Sequence, residues 1–523
     1  MNQEKTHHTD YDVMIVGGGP AGIAAAIEGA RQGFKVLIIE QSEYFGGQEV
    51  TGVFLSKGAS RTQNIKKFIE EEYPAFQKEY HQKIKNLFKE LGIDSLHGRA
   101  SLDKGKISVT KHEETDSKNI QRSENTKIIW ATGSQPRRPE NTKDFENIFD
   151  SSNVAELFKS LIKNPEQNIA IIGGGVTATE YAFALAKQFP LSEFKLISKG
   201  NVYEKIPEFL QGKVKQPDNL KFINEKAYNY EQINENIIIK DEQGKEIYKS
   251  HKVLLGIGKE PTDNHAPRPE NYIKEFWKQD QNYEYITYLG DALTNLVAEA
   301  RYSFQSFCAQ QQPDSKPKFD IPGISYFPEK EYATIGNITP EKTVLEFEID
   351  NKEGAIQFFL DNNNNLQGVG IVSKSASTFI HVFQWYIGKP IHEFMLSPFI
   401  QSEFGKSIQS SCKELIKIDD EEKKPYKQKI VEKGNKIESN IFLLPFAEIN
   451  GKEAPYMEVS ISNKTIVALT CYSTGRETLQ DITNHFIGKT IEEIYAHPFA
   501  SPSYAEAFRE IAIKLFIQDR KSV

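Results

Sequence analysis

The stretch YDVMIVGGGPAGIAAAIEGARQGFKVLIIEQ, residues 11–41, decides the fold. A short apolar run, a glycine turn, an alanine-rich segment and a second apolar run follow one another, and Glu40 ends the last of them. Gly17, Gly19 and Gly22 have the G-x-G-x-x-G spacing, which permits a tight turn, close approach of a pyrophosphate and close helix–strand packing. The helix N-terminus would face the phosphates, and a carboxylate at Glu40 can accept hydrogen bonds from ribose hydroxyls. The stretch therefore predicts a strand–helix–strand unit that binds a dinucleotide.

A second stretch, NIAIIGGGVTATEYAFALAKQFPLSEFKLISKGNVYEK, residues 168–205, repeats this order. Gly173 and Gly175 take the first two glycine places, and Ala178 takes the third, where alanine is permitted. Two such units in one chain predict two bound dinucleotides. One can be a tightly held flavin and the other a passing nicotinamide.

The end of the second unit differs from the end of the first. Ser198 stands where the first unit has Glu40, and Lys199 and Lys205 follow. Without a ribose-binding carboxylate, and with two cations nearby, the pocket should favour a 2′-phosphate, so NADPH is preferred to NADH. NADH stays possible, because both lysines can also be ordinary solvated side chains.

Composition and charge fit a globular protein of several domains. The chain has 523 residues, of which 38% are hydrophobic and 26% charged, and its formal net charge is −8. This length exceeds one hydrophobic core, and the negative charge argues against nucleic acid as a main partner. The three widely spaced cysteines indicate neither a disulfide framework nor a metal site, so a reducing compartment is expected. The polar first ten residues, and the lack of an apolar run of roughly 18 residues, predict a cytoplasmic protein without a membrane span.

Further segments give the chain the motif order of a known family. From residue 12 to about residue 400 it resembles the two-dinucleotide-domain flavoprotein reductases, the family of glutathione reductase and dihydrolipoamide dehydrogenase. The resemblance implies FAD in the first site and NAD(P)H in the second. The segments that carry it are IIWATGSQP (128–136), VLLGIGKEPTDN (253–264), ITYLGDALTNLVAEA (286–300) and IPGISYFPEKEYATIG (321–336).

The resemblance also implies particular cofactor-binding residues. The turn of Ala131, Thr132 and Gly133 returns from the FAD domain, and Asp291 would hold a ribityl hydroxyl of FAD. In the second site, two lysines take the places where glutathione-reductase-like sequences have two arginines on the NADPH phosphate. These are the Lys199 and Lys205 named above.

The family's redox-active cysteines are missing from the stretch GGQEVTGVFLSK, residues 46–57. Glu49 falls at the first cysteine and Val53 at the second, with one residue deleted between them. Thiol–disulfide exchange requires sulfur at the site, so the usual dithiol relay is not expected here. Nothing in their spacing suggests that the cysteines present take over the relay; they are Cys308, Cys412 and Cys471.

Lys57 and Glu180 remain from the same family pattern. By the resemblance, Lys57 corresponds to the lysine beside flavin N5, and Glu180 corresponds to the glutamate that pairs with it. Half-removal of a buried ion pair is costly, so the presence of both residues favours a flavin pocket that is in use. The alternative is chance retention of a surface lysine and a helix glutamate.

The C-terminal part contains an internal repeat. YIGKPIHEFMLSPF (386–399) and FIGKTIEEIYAHPF (486–499) match at a separation of 486 − 386 = 100 positions. The segments that begin at Leu366 and Ile466 precede them in the same register. We therefore expect a duplicated interface domain, with a charged linker between the copies.

The repeat bears on a family histidine. In the family, a His-Pro pair reaches across a homodimer and its histidine works as acid or base; the first copy has Ser397 there and the second has His497. A catalytic role for His497 and a packing role are both open. If the second copy takes the partner's place on the first, the chain is a monomer with an internal pseudo-two-fold; an ordinary homodimer is the alternative.

These inferences predict an α/β chain with two Rossmann-like dinucleotide-binding domains followed by two copies of an α+β interface domain. The leading function is an FAD-dependent enzyme that passes electrons from NADPH to a small non-disulfide acceptor, such as a quinone or dioxygen. A soluble pyridine nucleotide transhydrogenase and a non-catalytic flavoprotein scaffold or redox sensor are the alternatives. The predicted domains are 8–150 and 266–318 for FAD, 151–265 for NAD(P), 319–418 and 437–523 for the interface copies, and 419–436 for the linker.

Overall fold

The structure is a computed structural model of the chain. The chain forms two compact units, of which the first draws on Met1–Leu55, Lys66–Ala178 and Glu225–Lys318 and the second on Ser56–Ile65, Thr179–Asn224 and Phe319–Val523. The described residues are 11–103, 106–110, 117–120, 126–142, 145–261, 283–285, 322–338, 343–349, 353–374, 376–397, 405–410, 435–440, 456–462, 465–472, 476–497 and 507–521.

The strands are numbered along the chain. Up to residue 261 they are β1 Val13–Val16, β2 Val36–Glu40, β3 Asp94–His97, β4 Arg99–Asp103, β5 Lys106–Thr110, β6 Ser117–Ile120, β7 Lys127–Trp130, β8 Ser134–Pro136, β9 Ile148–Asp150, β10 Asn168–Ile172, β11 Glu193–Ile197, β12 Leu220–Ile223, β13 Asn229–Ile233, β14 Asn236–Lys240, β15 Glu246–Ser250, β16 Lys252–Leu255 and β17 Lys259–Pro261. Beyond it they are β18 Tyr283–Tyr285, β19 Gly323–Phe327, β20 Lys330–Gly336, β21 Thr343–Ile349, β22 Gly354–Leu360, β23 Leu366–Ser373, β24 Asn435–Asn440, β25 Tyr456–Ser462 and β26 Thr465–Tyr472.

The helices are numbered in the same way. They are α1 Pro20–Arg31, α2 Phe54–Arg61, α3 Ile65–Lys67, α4 Tyr73–Leu91, α5 Val154–Lys163, α6 Val176–Gln188, α7 Val202–Lys205, α8 Glu208–Gln211, α9 Ala376–Phe379, α10 Ile391–Met395, α11 Arg476–Phe486, α12 Ile491–Ala496 and α13 Ala507–Lys521. Short 3₁₀ segments cover Glu140–Thr142 and Ile380–Trp385, π-helical turns cover Glu49–Val53 and Phe68–Glu72, and residues 405–410 are helical. None of the helices in these described ranges is both long and apolar enough to cross a membrane.

The first sheet has the order β18-β7-β1-β2-β3, and its strands run parallel. The central strand β1, with the sequence VMIV, is buried along its whole length, as an apolar run between parallel neighbours requires. On one side, side chains of β1, β2 and β7 share an apolar core with Ile107 and Val109 of the antiparallel sheet β4-β5-β6. The predicted Rossmann-like arrangement is confirmed here.

The second dinucleotide unit is also built on parallel strands. Strand β10 pairs with β16, and β16 pairs with β9, all in parallel. Strands β11 and β12 form a further parallel pair, and β13-β14-β15 is an antiparallel meander. The α/β class is therefore confirmed for both dinucleotide units.

The second of the two compact units, which includes the C-terminal part of the chain, contains two antiparallel sheets. One has the order β19-β20-β23-β22-β21, and the other has the order β24-β25-β26. Helices follow the last strand of each: α9, the 3₁₀ segment and α10 follow β23, and α11 and α12 follow β26.

The backbone after these two strands is alike at positions 100 residues apart. Gly388 has a φ of +81° and donates its N–H to the Leu366 carbonyl at 2.7 Å. Gly488 has a φ of +86° and donates its N–H to the Ile466 carbonyl at 2.8 Å. Two further contacts recur at the same offset, namely Leu366 N to Lys389 O (2.7 Å) with Ile466 N to Lys489 O (2.9 Å), and the ion pairs Lys389–Glu393 (3.6 Å) with Lys489–Glu493 (3.0 Å).

Candidate functional site

The first glycine turn joins the end of β1 to the start of α1. Gly17 has a φ of +111° and donates its N–H to the Ile39 carbonyl at 2.8 Å. A Cβ on Gly17 would run into the Ala131 carbonyl, and a Cβ on Gly22 would run into the Gly17 carbonyl. The backbone is therefore packed too closely for side chains at these two places, as a dinucleotide turn requires. The structure brings the turn that contains Ala131 directly against it.

Glu40 ends β2 beside this turn. Its carboxylate accepts a hydrogen bond from the Gly18 N–H at 2.5 Å and from the N–H and hydroxyl of Ser42 at 2.7 and 2.6 Å. A carboxylate has about four lone-pair sites, so three of them are used by the protein itself. The remaining lone-pair site can accept from a ribose hydroxyl.

Open space lies where a pyrophosphate would bind. A Cβ on Gly19 would meet no atom closer than the Gly47 Cα at 4.0 Å, and a Cβ on Gly133 would meet nothing within 4 Å. Thr132 lies between Ala131 and Gly133 in the adjoining turn. The glycine turn, the open space and the N-terminus of α1 together fit the phosphates of FAD.

Gln48 is a residue of this site that the sequence analysis missed. Its amide group donates to the carbonyl of Ser134 on β8, and its carbonyl accepts from the Lys259 ammonium on β17 at 2.5 Å. Gln48 follows Gly47 directly, so it ties the segment opposite Gly19 to the strand after the Ala131 turn. Its place just before the missing cysteine position was the signal that could have found it.

His97, at the end of β3, is a second missed residue. Its Nδ1 lies 2.9 Å from the Ser42 carbonyl, which can only accept, so Nδ1 carries the proton. In the neutral ring Nε2 is then an acceptor, and it is buried with no hydrogen-bond partner among the residues that the structure describes. A donor group on a bound nucleotide would satisfy it.

The second glycine turn joins β10 to α6. Gly173 has a φ of +121°, and a Cβ there would run into the Gly256 carbonyl. The N–H of Gly256 donates to the Ile172 carbonyl at 2.7 Å. The alanine in the third place is accommodated because its neighbour is a glycine: a Cβ on Gly256 would lie 2.6 Å from the Cβ of Ala178. A Cβ on Gly175 would meet nothing within 4 Å, which leaves room for a phosphate.

Lys199 and Lys205 are exposed and follow the end of β11. Neither has an ion-pair or hydrogen-bond partner among the residues that the structure describes. Between them, Asn201 and Glu204 form a capping box that begins the short helix α7, with the Glu204 N–H donating to the Asn201 side chain at 3.0 Å. Both ammonium groups are thus available for an anion such as a 2′-phosphate.

A buried charge cluster surrounds Tyr326 on β19. Lys57 on α2 and Glu180 on α6 are each 5% exposed. The Lys57 ammonium lies 4.1 Å from the centre of the Tyr326 ring, and the Glu180 carboxylate accepts from the Tyr326 N–H at 2.9 Å and from the Ser56 hydroxyl at 3.0 Å. The structure therefore brings the two residues predicted to act as a pair to one aromatic side chain.

A second ion pair completes this cluster. Arg61, one helical turn after Lys57, forms an ion pair with Glu331 on β20 and lies 5.2 Å from the Tyr326 ring centre. Burial, followed by the charge of Glu331, raises the pKa of Tyr326 well above its usual value of 10. The Tyr326 hydroxyl therefore stays protonated, so its ring adds no charge to the cluster. The sequence analysis missed Arg61, Glu331 and Tyr326.

His497 belongs to a separate histidine cluster, which consists of His381, His485 and His497. Its ring stacks on Trp385 with centres 5.0 Å apart, and its Nε2 donates to the side-chain carbonyl of Gln384 at 2.9 Å. Burial lowers the pKa of His381 and His485 to about 4, and burial together with His381 lowers the pKa of His497 to about 3. All three rings are therefore neutral near pH 7.

One predicted site residue and two of the cysteines lie outside the described ranges. Asp291 lies outside the described residues, as do Cys308 and Cys412. Cys471 lies on β26, and Val53 ends the π-helical turn before α2. Across the described ranges, no group of three or more histidine, cysteine, aspartate or glutamate side chains is arranged to hold a metal ion.

Comparison with known proteins agrees with this architecture. Residues 11–277 match the pyridine nucleotide-disulphide oxidoreductase family. A soluble pyridine nucleotide transhydrogenase of Colwellia psychrerythraea is 28% identical over 33% of this chain and 40% of its own length. A dihydrolipoyl dehydrogenase of Mycoplasma genitalium is 28% identical over 34% of this chain and 42% of its own. The matched stretch thus spans about two fifths of the length of these relatives.

Solved structures show the same fold at low identity. The Cu(II) complex of an HOCl-induced flavoprotein disulfide reductase from Escherichia coli has a TM-score of 0.62 at 14% identity, covering 78% of this chain and 100% of its own. A Mycobacterium tuberculosis protein has a TM-score of 0.60 at 14% identity, covering 77% of this chain and 99% of its own. The fold and the two glycine turns define a protein with two dinucleotide-binding turns. The chain belongs to the pyridine nucleotide-disulphide oxidoreductase family, whose members bind FAD and use NAD(P)H.

Proposed function

We propose that the chain is an FAD-dependent oxidoreductase that takes reducing equivalents from NADPH and passes them to a small acceptor other than a disulfide. The observation that carries the proposal is a contrast within one segment. Lys57 is retained in a buried charge cluster, whereas Glu49 and Val53 stand a few residues earlier at the positions of the family's cysteines. A flavin pocket without the dithiol relay explains both features.

The first site would hold FAD. Bound FAD supplies the redox chemistry, since it accepts hydride from a nicotinamide and donates two electrons to an acceptor. The protein contributes the turn that approaches the pyrophosphate, the carboxylate on the ribose and the N-terminus of α1. The proposed residues are Gly17, Gly19, Gly22, Glu40, Ala131, Thr132, Gly133 and Asp291.

The second site would hold NADPH. Gly173, Gly175 and Ala178 form the pyrophosphate turn, and Lys199 and Lys205 would bind the 2′-phosphate. Their exposure and the absence of protein partners for them in the described ranges support this assignment. Charge-assisted contacts of this kind are stronger than neutral ones, so they can discriminate NADPH from NADH.

Lys57 and Glu180 would orient and tune the flavin. Glu180 fixes the backbone of Tyr326 through its N–H, and the Tyr326 ring lies against the Lys57 ammonium. A catalytic acid–base role for His497 stays a prediction. Because its Nε2 donates to Gln384, that role would fall to Nδ1.

Soluble pyridine nucleotide transhydrogenase is the second candidate. Relatives of that name from Colwellia psychrerythraea and Vibrio atlanticus are 28% and 29% identical to this chain. Such an enzyme must bind NADH as well as NADPH, and Ser198 in place of a ribose-binding carboxylate counts against it.

A cytoplasmic location is part of the proposal. It is supported by the three widely spaced cysteines, which fit a reducing compartment.

Anaerobic reduction followed by an acceptor screen tests the function. The FAD-loaded protein is reduced with NADPH and mixed with a quinone, dioxygen, a cyclic disulfide or NAD⁺, and the return of flavin absorbance is followed. We expect the quinone or dioxygen to act fastest. Fastest reoxidation by the disulfide would overturn the proposal, fastest reoxidation by NAD⁺ would establish the transhydrogenase, and failure of NADPH to reduce the flavin would indicate a scaffold or sensor. A Lys57→Met variant, which keeps the side-chain length without the charge, should be reduced more slowly than the parent.

A further inference from the structure

Two segments of the C-terminal region contact each other through equivalent residues. The first segment consists of β23 and the α9, 3₁₀ and α10 helices that follow it, and the second consists of β26 and the helices α11 and α12 that follow it. Trp385 of the first segment stacks on His485 of the second, with ring centres 4.3 Å apart and planes 16° apart. These residues are 485 − 385 = 100 positions apart, which is the offset of the matching backbone turns. A residue that touches its own counterpart in another copy lies at a two-fold axis.

Neighbouring contacts are reciprocal, as a two-fold arrangement requires. Trp385 meets Phe486 edge-on at 5.5 Å, with planes at 80°. Tyr386, the counterpart of Phe486, meets His485 edge-on at 5.7 Å, with planes at 89°. Position 385 thus contacts position 486, and position 386 contacts position 485, which is the signature of an isologous interface.

We propose that the second C-terminal segment, through residues 476–497, occupies within the same chain the place that a second subunit would take on the face of the first segment that carries Trp385 and Tyr386. The partner that fits this face is a copy of the same fold, and the chain supplies it in cis. The chain is therefore a monomer with an internal two-fold. This inference does not depend on the redox chemistry proposed above.

Differences between the two segments favour pairing of the first segment with the second segment of the same chain over pairing of the first segments of two chains. His485 Nδ1 donates to the Asp481 carbonyl at 2.7 Å, so its Nε2 accepts from the Tyr386 hydroxyl at 3.0 Å. The Tyr386 oxygen also lies 2.5 Å from the Ser397 hydroxyl, which completes a directed chain of hydrogen bonds across the interface. Two first segments would place a tryptophan where His485 stands, so the Tyr386 hydroxyl would lose its hydrogen-bond acceptor across the interface in both subunits and keep only Ser397 of its own segment.

His497 strengthens the same asymmetry. It donates to Gln384 and stacks on Trp385, whereas its counterpart Ser397 has no ring to stack. A second-segment histidine is therefore needed to fill the surface beside Trp385. Within this interface His497 packs on Trp385 and holds the Gln384 side chain.

Light scattering and cross-linking test the proposal on the full chain. The unmodified protein should have the mass of one chain, 59.5 kDa. In a background with the three native cysteines replaced by serine, Trp385→Cys with His485→Cys should be cross-linked within one chain by a short bis-maleimide, which spans the gap left by the two rings. Trp385→Cys alone, the matched control, should stay uncross-linked.

The outcomes separate the internal pairing from a homodimer. A covalent dimer from Trp385→Cys alone would mean that two first segments meet, and it would overturn the proposal. Failure of the double variant to close within one chain would also overturn it. A scattering mass of two chains for the unmodified protein contradicts the monomer without requiring any variant to fold.

Discussion

Glu180→Gln is expected to destabilise the chain through the buried charge cluster. The Glu180 carboxylate accepts from the Ser56 hydroxyl and from the Tyr326 N–H at 3.0 and 2.9 Å, and the residue is 5% exposed. Glutamine offers one oxygen and one NH₂ group in the same space, so its oxygen can keep the Tyr326 N–H and its NH₂ can donate to the Ser56 hydroxyl oxygen. Both hydrogen bonds then lose their charged acceptor. The cluster around Tyr326 would also keep only one of its two acidic side chains, Glu331.

The magnitude follows from these contacts. A hydrogen bond to a charged group contributes about 1.5–3 kcal/mol, and one between neutral groups contributes about 0.5–1.5 kcal/mol. Two bonds are weakened in this way, so the expected loss is about 2–3 kcal/mol. Urea unfolding followed by far-UV circular dichroism measures it without reliance on flavin absorbance.

Glu156→Gln is the matched control for this change. Glu156 forms an exposed ion pair with Lys159 at 2.8 Å, so its neutralisation should change the unfolding free energy by no more than about 0.5 kcal/mol. A loss below about 1 kcal/mol for Glu180→Gln, or equal losses for the two variants, would refute the reasoning. Tyr326→Phe should be milder than Tyr326→Leu, because only phenylalanine keeps a ring face for Lys57.

Three further predictions concern the nucleotide turn, coenzyme choice and pH. Gly256→Ala should destabilise the chain in thermal unfolding because its Cβ would collide with Ala178, whereas Gly175→Ala should leave stability unchanged and weaken NADPH binding; the reverse order would contradict the turn geometry. Lys199→Glu with Lys205→Ala should raise the KM for NADPH at least about tenfold more than the KM for NADH, since each lost phosphate contact contributes roughly 1.5–3 kcal/mol, and equal effects would show that these lysines do not read the phosphate. The histidine cluster has folded-state pKa values of about 3 to 4 against 6.5 in the unfolded chain, so its stabilisation is fully present above pH 6.5 and is lost as the pH falls towards 4. The urea midpoint should fall over that range, less steeply in His485→Gln, and parallel profiles for the two proteins would contradict the assignment.

The dinucleotide turns could be predicted because their signal is local. Three small residues at fixed spacing, between two apolar runs, specify the turn, and the strands begin and end within about one residue of the apolar runs that predict them. The tolerance of Ala178 could not be predicted in this way, because it depends on Gly256, 78 positions later in the chain. Gly256 lies beside Ala178 only in the folded chain, so spacing in the sequence does not reveal it.

The surroundings of the site residues were less predictable. Lys57 and Glu180 could be named from the family pattern, but Arg61, Glu331 and Tyr326 have no periodic or motif signal that links them. Glu40 could be named as the ribose ligand, but its hydrogen bonds to Gly18 and Ser42 depend on backbone geometry after the strand end. Long-range contacts of this kind follow from the fold and not from spacing in the sequence.

Reductive titration of the FAD-loaded protein with NADPH under anaerobic conditions tests the central claim most directly. An active-site flavin without a redox-active disulfide takes up two electrons, whereas a flavin with such a disulfide takes up four. The account predicts that about one equivalent of NADPH bleaches the flavin completely, without a long-wavelength thiolate-to-flavin band. A requirement for about two equivalents, with that band appearing at the halfway point, would show that a dithiol relay operates and would contradict it.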